Sequence, residues 1–304
     1  MNMKNYRKTL ILIMAVLCTA FAPQAVAQSD DDELKIAALE ALMAAPPDRA
    51  LPIAAKVLAG DNSDDVKERA LFILSQIDSP EAHEILMRTA RDGSSEIRTE
   101  AIRMIGIGGN SVALSQLVEL YDSGDPEMRE AVLEAYVIAD DEEAVYELAV
   151  QASSAANQED FESAVEMLGA MGAHDQLRRL RESTGISESL IEAYAISGDE
   201  DSLRQLALDD SNPELQEQAI EALGIVGGDS VNATLVEIYK NSSSEDIRDS
   251  ALEGMMISGH DEGVLELYRA SQDTAEKKEL LELLVIMGSD DVWDIIDSAL
   301  DGGL

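Results

Sequence analysis

The sequence predicts an all-α solenoid of about nine helix pairs, and three observations carry that prediction. A seven-residue frame, clearest as Glu221-Ala-Leu-Gly-Ile-Val-Gly227, returns nine times, its starts 32, 31, 31, 32, 26, 29, 32 and 29 residues apart. Apolar residues in and before each frame keep the i, i+3, i+4, i+7 spacing, as Ala219, Ala222, Leu223 and Val226 do. That period is helical, and no alternating strand pattern competes with it. Six copies end on glycine, at 109, 172, 198, 227, 259 and 288, where a left-handed residue closes a helix at least cost.

Taken in order, the chain opens on a secretory-type leader. Lys4, Arg7 and Lys8 precede an apolar run from Leu10 to Ala22, and Ala25-Val-Ala27 is an A-x-A cleavage site before Gln28. The run is short for a bilayer span. Leu17 stands before Cys18 where a lipoprotein signal needs a small residue. Residues 1–27 are therefore expected to be removed, leaving 28–304 as a single solenoid in the periplasm or outside the cell, with no membrane insertion.

Two degenerate frames, Glu40-Ala-Leu-Met-Ala-Ala-Pro46 and Phe72-Ile-Leu-Ser-Gln-Ile-Asp78, begin the array after an acidic lead-in. Each repeat then has a first helix that carries the frame and a second helix after it. Ala38, Ala70, Ala101, Ala164, Ala219 and Ala251 form a column on the first helices, small enough for neighbours to approach closely. Acids gather where second helices start, as in Asp141-Glu-Glu143 and Glu200-Asp201, to cap them and complement their dipoles. Second helices are expected over segments such as 112–122, 231–240 and 262–270. Turns with Pro126 and Pro213 begin the next first helices.

Composition narrows the function. The chain has 61 acids against 22 bases, a charge of −39, which becomes −42 without the three leader cations. Nucleic acid and anionic lipid would repel such a surface. The one cysteine lies in the leader, so the mature chain has no disulfide, thiolate or cysteine-zinc chemistry. No His-Glu-x-x-His, phosphate loop or nucleophile elbow occurs. His83, His174 and His260 fall in different repeats and read as solvated turn residues. No catalytic, cofactor or metal site is assigned. The methionines read as core filler and Trp293 as packing for the end of the array.

The couplet Asp125-Pro-Glu-Met-Arg-Glu-Ala131 with Glu134-Ala-Tyr136, and Ile97-Arg98 and Ile247-Arg248 at the matching place, resembles HEAT repeats. The short period is similar to the HEAT-like repeats of bilin lyases. The resemblance covers roughly residues 34–300 and implies a right-handed superhelix whose second helices line a concave face. It also implies that Arg98, Arg129 and Arg248 bridge to an acid or carbonyl of the neighbouring repeat.

Two features are candidates for partner binding. Glu119-Leu-Tyr121, Glu237-Ile-Tyr239 and Glu266-Leu-Tyr268 share a triplet on second helices, with Glu147 a relative, so an acidic stripe is one reading and packed tyrosines beside solvated glutamates the other. Arg178, Arg179 and Arg181 form a dense basic cluster beside the irregular 26-residue spacing, as a local contact with neighbouring acids or as a binding spot. The leading expectation is a non-enzymatic scaffold that binds a protein or extended peptide with a basic surface. Its rivals are an enzyme-associated, lyase-like role and an acidic cation-buffering or salt-adapted envelope protein. Mass spectrometry of the protein from its native host should find Gln28 as the first residue; retention of residues 1–20, or lipid on Cys18, would exclude this processing.

Overall fold

The computed structural model describes residues 30–300; the leader, its cleavage motif and Cys18 lie outside the described residues. Among the described residues the regular elements are helices, arranged as nine successive pairs. The pairs are Asp30–Leu42 with Pro47–Ala59, Asp64–Ser75 with Pro80–Asp92, and Ser95–Gly108 with Ser111–Ser115 and Leu117–Ser123. Next come Pro126–Ile138 with Glu142–Ser154, Gln158–Met171 with His174–Thr184, and Glu188–Ser197 with Glu200–Ala207. Pro213–Val226 with Asp229–Asn241, Glu245–Ser258 with Asp261–Ala270, and Thr274–Met287 with Val292–Leu300 complete the array. Each first helix packs on the second helix before it and, in most pairs, on the next first helix, so the all-α solenoid is the observed fold.

The helix ends follow the sequence logic. All six frame glycines have positive φ, and Asp140 takes the same left-handed conformation at φ 57° where the frame lacks glycine. Pro126 and Pro213 stand in the first turns of their helices, capped by Asp125 accepting from the Met128 amide at 3.0 Å and Asn212 accepting from that of Leu215 at 3.4 Å. Asp141 and Asp199 cap second helices in the same way, through the amides of Ala144 and Ser202. The second helices beginning at Asp229 and Asp261 are among those with no side-chain cap, so there the acids serve the dipole alone.

One core runs the length of the array. Ala70, Ala101, Ala164, Ala219 and Ala251 are wholly buried in it, while Ala38, on the first described helix, is exposed. The fourth frame residue of one first helix meets the second frame residue of the next. A Cβ added at Gly106 would lie 2.6 Å from the Ala135 carbonyl oxygen, and one at Gly169 would lie 3.0 Å from the Ala193 Cα. A Cβ at Gly224 would lie 2.6 Å from the Gly254 Cα. Neighbouring first helices approach most closely at these three junctions.

Larger side chains hold the two positions at some junctions, Val137 and Met167 between the fourth and fifth pairs and Met256 and Leu283 at the last, where the departure is greatest. There the first helices barely approach each other, and Thr274–Met287 rests on the second helix Asp261–Ala270 instead. Lys277 lies 5.3 Å over the Tyr268 ring, and Tyr239 donates to Glu276 at 2.9 Å. Trp293 is 62% exposed, so it does not pack the end of the array as expected. The methionines divide as well: Met87 and Met255 fill the core, whereas Met43 and Met256 face solvent.

Removing the Leu223 side chain, which is fully buried, should cost about 2–5 kcal/mol. Glu221→Ala, on the exposed side of the same turn, should stay within about 0.5 kcal/mol. Gly224→Ala gives the sharper check. In an unpacked helix alanine would gain up to about 1 kcal/mol over glycine, but here it should lose about 1–3 kcal/mol. A denaturant melt in which Gly224→Ala stabilises the chain would refute the backbone contact with Gly254.

Candidate functional site

The second-helix triplets divide into an inner and an outer residue. Two positions on a helix point to nearly opposite sides, and Tyr121, Tyr239 and Tyr268 are buried while Glu119, Glu147, Glu237 and Glu266 are exposed. Burial, and then the Asp160 charge, push the Tyr121 hydroxyl up to about 12. Burial and the Glu276 carboxylate hold Tyr239 well above the phenolic range. These three tyrosines join repeats together and present no surface to a partner, which corrects their place among the candidate binding residues.

The glutamates form a row that is only partly neutralised. Glu119 pairs with Arg91 at 3.1 Å and Glu266 pairs with Lys240, in each case a cation of the preceding second helix. Among the described residues no ion pair reaches Glu147 or Glu237. The row therefore keeps its most available negative charge at those two positions.

The arginine cluster is a clamp across the irregular junction. Arg179 reaches back to the fourth pair, holding Glu143 through two hydrogen bonds of 2.6 and 2.9 Å and stacking 4.1 Å from the Tyr146 ring centroid. Arg178 reaches forward to the sixth pair and donates to Asp199 at 2.8 Å. Arg181, half-buried, adds a positive charge near Tyr194 and Asp209. Two of the three guanidinium groups are thus engaged within the chain rather than free for a ligand. Elsewhere Arg98 bridges to Asp125 at 3.1 Å and Arg129 to Asp160 at 2.9 Å, each across one repeat boundary. Arg248 makes no such bridge among the described residues and contributes only a charge near Tyr239.

Among the described residues Asp199 is the one acid sealed in the structure, at 2% exposure. Burial works to raise its pKa, but the Arg178 guanidinium and the Ser202 hydroxyl and amide outweigh burial and hold the carboxyl below its ordinary value. The histidines are structural rather than solvated. His174 makes a 3.0 Å hydrogen bond from Nε2 to the Ser197 carbonyl of the next pair, and the half-buried His260 ring stands against Gly263. His83 lies 3.7 Å from Asp78. Among the described residues no three His, Cys, Asp or Glu side chains are placed to hold a metal ion. No described helix is long and apolar enough to cross a membrane.

The fifth frame residue was missed in the sequence. Ile107, Ile138 and Ile225 are 40–44% exposed and Ile286 is 73% exposed. The helical spacing contained the signal: the fifth position lies four residues after the exposed first frame residue, on the same outer face.

Residues 51–137 and 197–256 match the family model for HEAT repeats. Among solved structures, that of human deoxyhypusine hydroxylase in complex with glycerol is similar at 17% identity over 81% of this chain and 98% of that one, with a TM-score of 0.37. The complex of CpcE and CpcF of phycocyanin lyase from Nostoc is similar at 17% identity over 88% of this chain and 98% of that one, with a TM-score of 0.34. No curated protein matches the chain.

The Asp199 pKa fixes the sign of a pH effect. A carboxyl whose folded pKa lies below its unfolded value, about 3.9, contributes stability that is complete above that value and is lost as pH falls through the folded pKa. Thermal melts at descending pH should show this loss, and Asp199→Asn should remove its share of the dependence. Arg178→Gln should move the Asp199 titration to higher pH in a carbon-13 NMR titration; an unmoved titration would contradict the clamp.

Proposed function

We propose that this HEAT-repeat protein is a non-catalytic scaffold outside the cytoplasm that binds a basic protein or extended peptide along the outer face of its second helices, the concave face in the HEAT resemblance. The observation that carries this reading is the set of exposed glutamates on the second helices of the third, fourth, seventh and eighth pairs, three of them two residues before a buried tyrosine. A rigid, periodic, like-charged row favours complementary charge and steers its approach. The location rests on the leader sequence alone.

Charge dictates how such binding behaves. Exposed charges farther apart than about 8 Å are screened at physiological salt, so affinity should fall steadily as salt rises. Crosslinking in the native envelope should capture a protein with a basic surface. Glu147→Lys combined with Glu237→Lys, the two positions without an intramolecular cation, should weaken capture more than Glu119→Lys combined with Glu266→Lys. A captured partner that ignores both salt and the first pair of substitutions would overturn the reading.

A further inference from the structure

The first helices carry a second periodic surface. On the seventh and eighth pairs one outer face reads acid, acid, isoleucine at steps of four residues: Glu217, Glu221 and Ile225, then Asp249, Glu253 and Ile257. The fourth to sixth pairs repeat the order, with Ala170 in place of isoleucine in the fifth. Between the seventh and eighth first helices lies a cavity of about 240 Å³, walled by these helices alone. Gln218 lines it, and its carbonyl oxygen is buried without a donor.

This face is costly to keep. Like charges four residues apart on a helix destabilise it by about 0.2–0.5 kcal/mol for each pair, and no ion pair among the described residues reaches Glu217, Glu221, Asp249 or Glu253. Ile225 is 41% exposed and Ile257 half-buried, so the two add apolar surface in register rather than scattered singly. A second copy of so acidic a chain, with a charge of −39 before any processing, would be repelled from this face, as would an anionic membrane.

We infer that the outer face of the first helices docks an extended basic segment of another protein, with an apolar side chain at every third residue and lysine or arginine between. Packed helices lie about 8–10 Å apart, towards the lower end where small residues meet. Three residues of polyproline-type chain advance about 9.3 Å, so each apolar side chain meets one isoleucine and each cation the adjoining acids. Two turns of helix advance about 10.8 Å and drift out of step with glycine-spaced pairs. The cavity takes one longer side chain, whose donor satisfies Gln218. This surface lies on the other helix layer from the glutamate row of the second helices and stands independently of it.

The test uses a fluorescent peptide of repeated Leu-Lys-Pro triplets, a same-composition peptide with the leucines out of period, and a helical Leu/Lys heptad peptide. Anisotropy titrations at low salt should show the triplet peptide binding most tightly. Ile225→Ser with Ile257→Ser, and separately Glu221→Lys with Glu253→Lys, should each weaken it by about tenfold or more, with circular dichroism unchanged from the parent. Glu147→Lys with Glu237→Lys should leave it unaltered. Equal binding by the out-of-period peptide, tighter binding by the helical one, or indifference to both first-helix variants would overturn the inference. A loss seen only with the second-helix variant would also overturn it while sparing the proposed scaffold role.

Discussion

The close approach of successive first helices is the constraint on which the rest of the structure depends. Where Gly224 meets Gly254, no side chain stands between two helix backbones, and the distance between neighbouring pairs is set by main-chain atoms. Main-chain spacing is uniform in a way that side-chain spacing is not. Surface features at these junctions inherit their regularity from this contact, as the Arg98–Asp125 ion pair does beside Gly106 and Ala135. A rod whose period varied with side-chain size could not present such regular features to a partner.

The electrostatics follow from the same geometry. A chain with 61 acids and 22 bases cannot pair most of its charge, so the bases are placed where they tie repeats together. Arg103 pairs with Glu100 in its own helix and with Glu134 in the next, and burial is opposed by both carboxylates, which keep its guanidinium charged. Arg178 and Arg179 do the same on either side of the shortest spacing. Cations spent on cohesion leave the outer faces acidic, which is why both proposed surfaces look for basic ligands.

The fold was largely legible in the sequence because its determinants are local. A glycine closing a helix, an alanine column and a period near thirty each act within one or two turns of chain, and the structure keeps all three. The site was less legible. A frame read alone treats Ile225 as one more core residue, since spacing gives the face of a residue only once the buried face is known. The roles of Arg178 and His174 depend on which residue of the next repeat stands opposite, Asp199 and the Ser197 carbonyl respectively. Trp293 differs from expectation for the converse reason, because its burial depends on which residues of other elements stand against it.

The unfilled rule at Met256 and Leu283 has a bearing on how the molecule comes apart. A linear array is stable in proportion to the coupling between neighbouring units, and opening begins where that coupling is weakest. The ninth pair is joined to the rest through second helices, with Lys277 over Tyr268 of the eighth pair and Glu276 accepting from Tyr239 of the seventh, rather than through a close approach of first helices. The glycine-packed junctions, where first helices approach most closely, are the most tightly coupled parts of the array.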